Sequence, residues 1–331
     1  MMKAYYSVLI RLRNLYQRFS RGDGFHVRPE DVPVSPEEAS DLIYGLLISD
    51  RPCMITRFGS TELTTIIGFL EMSKDKHNIL KFIKGDCPIW WNKDVLCRKI
   101  RDFSGFFPAD EHLVARFVET VLEDVKQIDV LGSWLKMENY IKDELAHTHK
   151  VFLKDLEPFW VQSPWTRALE GKKVLVVHPF ACQMLEQYNN SRANLFYNKL
   201  VLPSFRLEVI QAVQSLGGED NGFTNWFDAL QWMKDEIDKH DYDVCLIGCG
   251  AYGMCLAAHV KRQGKKAIHL AGALQLLFGI IGNRWENPNY GVKEWGIPVG
   301  TYSKLINEYW IRPGEKGRPK NANQVEGACY W

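Results

Sequence analysis

The chain has 331 residues, enough for one large α/β domain or two lobes of roughly 150 residues each. At 46% hydrophobic and 24% charged, with 25 Gly and 14 Pro, its composition excludes a disordered chain, a collagen-like repeat and a coiled coil. The 41 Lys+Arg against 40 Asp+Glu leave a net charge of +1, without the basic excess that nucleic-acid binding requires.

The first predicted element is a helix over residues 3–21. Tyr5, Val8, Leu9, Leu12, Leu15, Tyr16 and Phe19 recur on one face, with Lys3, Arg11, Arg13, Arg18 and Arg21 mostly off it. Asp23 is the only acid in residues 1–28. A basic amphipathic helix of this kind suits an anionic membrane surface, and equally suits docking on its own domain or on a partner subunit of a homo-oligomer. Residues 22–34, with Gly22, Gly24, Pro29 and Pro33, read as a linker, which sets residues 1–34 apart from a domain over 35–331. No apolar window reaches the roughly 18 to 20 residues that span a bilayer, and no cleavage site follows the short apolar run at the start. The expected location is cytoplasmic, at most peripheral on the inner face of the membrane. The eight Cys fit reduced, mostly buried thiols, and Cys245, Cys249 and Cys255 lack zinc-ligand spacing.

Ser35, Pro36 and Glu38 form an N-cap, first-turn proline and capping-box acid, predicting a helix that ends near Ser49. A strand over 53–57 leads through Phe58-Gly59-Ser60-Thr61-Glu62 into a helix over 61–72. Residues 74–150 read as a mostly helical insert, clearest at Val114, Phe117, Val118 and Val121, with one candidate strand at 128–131. Beyond 171, apolar strands at 173–177, 207–213, 243–247 and 266–270 alternate with helices at 225–239 and 254–263. That rhythm predicts an α/β chain, a Rossmann-like three-layer sandwich with a mostly parallel sheet and a helical insert. Ligands of such sheets bind beyond the carboxyl ends of the strands, a rule that gathers residues 59–62, His178, Gln214, 248–253 and 269–275 into one place.

Gly248-Cys249-Gly250-Ala251-Tyr252-Gly253 stands between a strand and a helix. Its glycines let the backbone approach a diphosphate, and the helix start offers N–H donors; a tight turn that needs small residues is the other reading. A dinucleotide dehydrogenase would carry an acid about 20 residues further on for the ribose. Residues 244–285 hold none, although about five would be expected, while Lys261, Arg262, Lys265, Lys266 and Arg284 lie within them. This bias favours an anionic ligand held through phosphate over NAD(P), and leaves a Rossmann oxidoreductase as the weaker alternative. In the 57–62 turn, Ser60, Thr61 and Glu62 are good helix-start residues, or Arg57 and Glu62 face the ligand crevice.

The 57–63 stretch, Gly250-Ala251-Tyr252-Gly253, the run from Gly264 to Leu270 and the run from Gln275 to Arg284 together resemble the GT-D-fold glycosyltransferases. These are met in bacterial surface-polysaccharide and protein-glycosylation gene clusters. The resemblance covers roughly residues 50–285 and implies transfer of a sugar from a nucleotide-diphosphate sugar to a glycan or lipid-linked acceptor. In that family the first turn reads Arg-x-Gly-Asp-Gly-Glu, and its two carboxylates are implicated in Mn2+ or Mg2+ and donor binding. Here Glu62 matches, but Ser60 replaces the Asp, and a single carboxylate with a hydroxyl makes a poor site for a hard cation. The metal is then held mainly by the diphosphate, or dispensed with, or the chain is a non-catalytic sugar-nucleotide-binding scaffold of polysaccharide assembly. The residues expected in catalysis are Glu62, His178 and Arg57, with Glu62 or His178 as base. Gly59, Ser60, Gln214, Gly248, Gly250, Tyr252, Gly253, His269, Gln275 and Arg284 are expected to hold the donor. The tail over 312–331 ends on Cys329-Tyr330-Trp331, which predicts that it docks on the domain or on a second subunit.

Overall fold

The computed structural model describes residues 2–19, 25–215, 221–314 and 329–331. Residues 20–24, the end of the expected first helix and the start of the expected linker, lie outside these, as does 315–328 of the tail. Seven strands make one parallel sheet: β1 (Cys53–Thr56), β2 (Val130–Ser133), β3 (His149–Phe152), β4 (Lys173–His178), β5 (Arg206–Gln211), β6 (Val244–Ile247) and β7 (Lys266–His269). Their order is β3-β2-β1-β7-β6-β4-β5. The first nine helices are α1 (Met2–Phe19), α2 (Pro36–Ile48), α3 (Ser60–Met72), the short α4 (Ile79–Lys84), α5 (Lys93–Ser104), α6 (Glu111–Val125), α7 (Ala181–Leu195), α8 (Trp226–Asp238) and α9 (Tyr252–Arg262). Three short helices follow, α10 (Ala273–Leu277), α11 (Asn283–Glu286) and α12 (Val292–Trp295).

The central strands are apolar on both faces, and their side chains divide by alternation. Met54, Leu175, Val177, Cys245, Ile247 and Ala267 pack into one core with α3, α5, α6, α8 and α9. Their neighbours Cys53, Ile55, Val174, Val176, Val244, Leu246 and Ile268 pack into the other with α2, α7, α10 and α11. This two-residue period places a helical layer on each side of the sheet and gives the three-layer sandwich expected. The capping box at α2 forms as its sequence dictates, with Ser35 N–H donating to Glu38 Oε2 at 2.8 Å and Glu38 N–H to Ser35 Oγ at 3.3 Å.

Three expectations are corrected. The segment read as a helical insert contributes β2 and β3 to the sheet edge, β2 lying slightly later than the candidate strand and β3 hidden by its polar opening His149-Lys150. Residues 25–34 are packed: Val27 N–H donates to Trp134 O at 2.8 Å, Lys136 N–H to Phe25 O at 3.0 Å, and Val32 is buried. Pro29 starts a short 3-10 turn there, so its composition marks a turn and not a free linker. Finally, the bases of the acid-free stretch sit mostly at the opposite end of the sheet from the strands' carboxyl ends. Lys261 pairs with Asp129 at 2.7 Å, Arg262 with Asp124 at 2.6 Å and His259 with Asp238 at 2.8 Å, while Lys265 covers the Tyr242 ring and Lys266 donates to Leu47 O at 2.8 Å. They complement the carboxyl end of α9 and acids of neighbouring elements, so of this group only Arg284 reaches the ligand side.

Asp129 also accepts from Met54 N–H at 2.8 Å, tying β1 to the β2 entry while it holds Lys261 of α9. Asp129→Ala is expected to cost about 1–3 kcal/mol in urea unfolding, because it strands the Met54 amide and leaves the Lys261 ammonium with the Gln127 carbonyl alone. An unchanged midpoint would contradict this linkage.

Candidate functional site

Register sets the floor of the site. Ile55 is level with Ile268, Ile247 with His269, and Val177 with Ile247, so β1, β7, β6 and β4 finish side by side. From β4 the chain turns outward to β5, and from β6 it turns the other way to β7. The two exits diverge, which opens a crevice between adjacent strand ends. A cleft of about 500 Å³ occupies this place. Arg57, Gly59, Ser60, Glu62, His178, Gln214, Gly248, Gly250, Tyr252, His269, Gln275 and Arg284 all border it, and Gly253 lies directly beneath His269.

Both histidines are buried and neutral. His178 Nδ1 accepts Phe180 N–H at 2.9 Å, so the ring proton is assigned to Nε2, and burial pulls its pKa down to about 3. It thus presents a donor to the cleft; acting as a base would require it to release Phe180. His269 Nδ1 lies 3.0 Å from Thr56 Oγ1, and burial, with the charge of Arg57 adding to it, lowers its pKa to about 3. Its Nε2 has no partner. Gly253 makes room for this ring, since a Cβ there would fall onto the imidazole. Gly248 plays the same part beneath His178 and the Ala271 carbonyl, and Gly250 supplies a left-handed φ of 56°. Tyr252 borders the cleft but its ring belongs to the core, stacked on Trp226 at 4.9 Å with its hydroxyl 3.2 Å from Ser215 Oγ.

Two guanidinium groups are held over aromatic rings. Arg57 lies 4.8 Å from the centre of Trp134, whose indole N–H donates to Phe58 O at 2.9 Å. Burial lowers the Arg57 pKa, with the Glu62 carboxylate opposing that shift. Arg284 lies 4.9 Å from Tyr330 and 5.8 Å from both Trp285 and Tyr290. The chain's last residues complete this wall: Arg284 N–H donates to Cys329 O at 3.1 Å, Asn283 N–H to Trp331 O at 3.2 Å, and Trp331 packs edge-on against Phe180. Residues 329–331 therefore dock on their own domain, through space left by Gly272 and Gly282. Glu62 stands at the third position of α3 and folds its carboxylate back over Gly59, the N-cap. Side-chain oxygen donors in the turn amount to the Glu62 carboxylate and the hydroxyls of Ser60 and Thr61, beside the Arg57 cation, and no cluster of three or more His, Cys, Asp or Glu exists among the described residues. This set does not fit Mn2+ or Mg2+, which take several oxygens and no adjacent cation.

Six buried side-chain polar atoms among the described residues lack a hydrogen-bond partner. Ser104 Oγ, His269 Nε2, Gln275 Oε1, Trp295 Nε1 and Trp331 Nε1 belong to residues that border the cleft; Trp226 Nε1, in the core, is the sixth. Gln275 is oriented by its own donors, since Nε2 gives hydrogen bonds to Ile280 O at 3.2 Å and Tyr330 O at 3.3 Å. An unpaired buried polar atom costs about 1–3 kcal/mol, so these five residues leave the wall of the cleft less stable than a fully paired one.

Comparison with protein-family models, with curated proteins and with solved structures finds no match. The chemistry of the site rests on its geometry.

That geometry adds a carboxyl group absent from the sequence expectation. Glu157 borders the cleft after β3, buried, with Tyr302 OH donating to both oxygens at 2.9 and 3.0 Å and Trp160 Nε1 to Oε2 at 2.8 Å. Burial pushes its pKa up to about 7 against the pull of those donors and of Lys154. A carboxyl group titrating near neutrality in a cleft is suited to moving a proton. The aromatic run around it, Pro158-Phe159-Trp160, was the signal available in the sequence.

Gly253→Ala drives a methyl group into His269 and is expected to lower stability by about 1–3 kcal/mol, read by thermal denaturation; an unchanged melting point would remove Gly253 from this role. The Glu157 pKa is raised from 4.5, so its contribution favours the fold below pH 4.5 and is lost as pH rises through about 7. Glu157→Gln should therefore gain stability relative to the parent between pH 5 and pH 8, by on the order of 3 kcal/mol. A difference that does not vary with pH would contradict the assignment.

Proposed function

We propose that the chain is a glycosyltransferase that uses a nucleotide-diphosphate sugar as donor and a glycan or lipid-linked precursor of a bacterial surface polysaccharide as acceptor. The observation that carries this reading is the cleft itself: two guanidinium groups on aromatic walls, facing a glycine loop at the strand ends, among unpartnered polar atoms. Phosphate suits the guanidinium groups and the glycine loop. The resemblance to GT-D-fold enzymes at residues 57–63 and 250–253 supports the same assignment.

In this reading the 248–253 loop lets the donor diphosphate approach the main chain. Arg57 and Arg284 neutralise the charge that grows on the departing nucleoside diphosphate, a task that falls to them because the turn offers poor metal ligands. An acceptor hydroxyl attacks the anomeric carbon as the bond to the diphosphate breaks, and its proton passes to a carboxylate, Glu62 or Glu157. His178 Nε2–H would donate to donor hydroxyls, while His269 and Gln275 shape the wall beside them. Gln214 lines the same wall. No helix of the described residues is long and apolar enough to cross a membrane; the proposed place of action is the inner face of the cytoplasmic membrane, where a lipid-linked acceptor is met. Ser60 in place of the family's Asp favours a second reading, a sugar-nucleotide binder without turnover.

Incubation with a panel of UDP- and GDP-sugars and a lipid-linked acceptor extract, followed by mass spectrometry, tests the proposal. Hydrolysis or transfer from at least one donor is expected, lowered by Glu62→Gln. Arg284→Ala should weaken donor binding about tenfold to a hundredfold. Absence of turnover with every donor would overturn the enzyme reading, and calorimetric donor binding without turnover would select the binder.

A further inference from the structure

Helix α1 is tied to the domain along one edge. Leu9 is buried, Tyr6 stacks on Trp91 at 4.3 Å and 5°, and Arg13 donates to Cys87 O at 3.1 Å while covering Phe82. These positions, three and four residues apart, form a single line. The adjacent arc carries Tyr5, Val8, Leu12, Leu15, Tyr16 and Phe19, all in solvent. Leu15 is 51% and Phe19 84% exposed. With Ile10, α1 holds seven of the sixteen exposed large apolar side chains among the described residues, a concentration far beyond the scattered singles of an ordinary surface. Packed beside α1, the short helix α4 exposes Leu80 at 66% and carries Lys81 and Lys84.

From this surface we infer that α1, with α4 at its side, lies in the interface of an anionic lipid bilayer. The apolar arc spans roughly 100°, as in helices that bury one face at headgroup depth. Arg11 and Arg18 flank it, and α1 contains no Asp or Glu. The spacing of Tyr5, Val8, Leu12, Leu15 and Phe19 would also serve a helix–helix seam. A second copy, however, would set Arg11 and Arg18 against like charges with no acid on α1 to answer them, whereas anionic headgroups complement both. The helix is too polar to span the bilayer, so it rests on the surface. This contact deepens the membrane-side placement proposed above, but lipid binding is read with no donor or acceptor present, so its failure is separable from failure of sugar transfer.

The test is co-sedimentation of the full chain with vesicles of phosphatidylcholine alone and with about 30% phosphatidylglycerol added. Binding is expected to the anionic vesicles and to weaken as salt rises. Leu15→Glu/Phe19→Glu should reduce the bound fraction about tenfold with an unchanged melting point, since both side chains are already in water. Arg11→Glu/Arg18→Glu should abolish the preference for anionic lipid. A chain that stays in the supernatant with anionic vesicles overturns the inference. So does a Leu15→Glu/Phe19→Glu variant that binds like the parent, or a dimer in light scattering that this variant dissociates.

Discussion

Everything on the ligand side depends on how closely α9 and its loop can approach the strand ends. The His269 ring occupies the space that a side chain at position 253 would fill, and the His178 ring lies against Gly248 in the same manner. The parallel register then fixes Thr56 beside His269 and Arg57 one residue beyond it. With any Cβ at those two glycines, the helix would move outward and the floor of the cleft would lose its two neutral imidazoles. Backbone geometry thus determines which polar atoms face the ligand before any charge is considered.

The charges are arranged at a cost to the fold. Arg57 and Arg284 share one cleft; burial disfavours the charge on Arg57, and the Arg284 cation adds to that penalty. Glu62 and the faces of Trp134, Tyr290 and Tyr330 offset it. Positive groups held in this way are already oriented for an anion, so little reorganisation is needed when one binds. The unpartnered atoms of Ser104, His269, Gln275, Trp295 and Trp331 add to that cost in the same part of the fold.

Local sequence carried the central sheet. The apolar runs of β1, β4, β6 and β7, the glycine loop and the capping box of α2 are each encoded within a few residues, and the strand-end rule was enough to gather Glu62, His178, His269 and Gln275. What local sequence could not carry were contacts between distant segments. Edge strand β3 begins on His149 and Lys150 and has no apolar run to announce it. Glu157 is exceptional only because Trp160 and Tyr302 enclose it, and Tyr302 is far along the chain. Trp134 and Tyr330 became a matched pair of cation-bearing walls only in the fold. The acid-free stretch over 244–285 misled because a helix concentrates bases at its carboxyl end for its own reasons, and that end of α9 points away from the cleft.

We propose that Arg57, Arg284 and the 248–253 loop together receive a diphosphate. A crystal structure of the chain with UDP or GDP tests it most directly. The diphosphate is expected between the two guanidinium groups and the loop, with the rest of the nucleotide along the cleft wall. Nucleotide bound away from this cleft, or an occupied cleft in which the phosphates contact neither arginine, would contradict it.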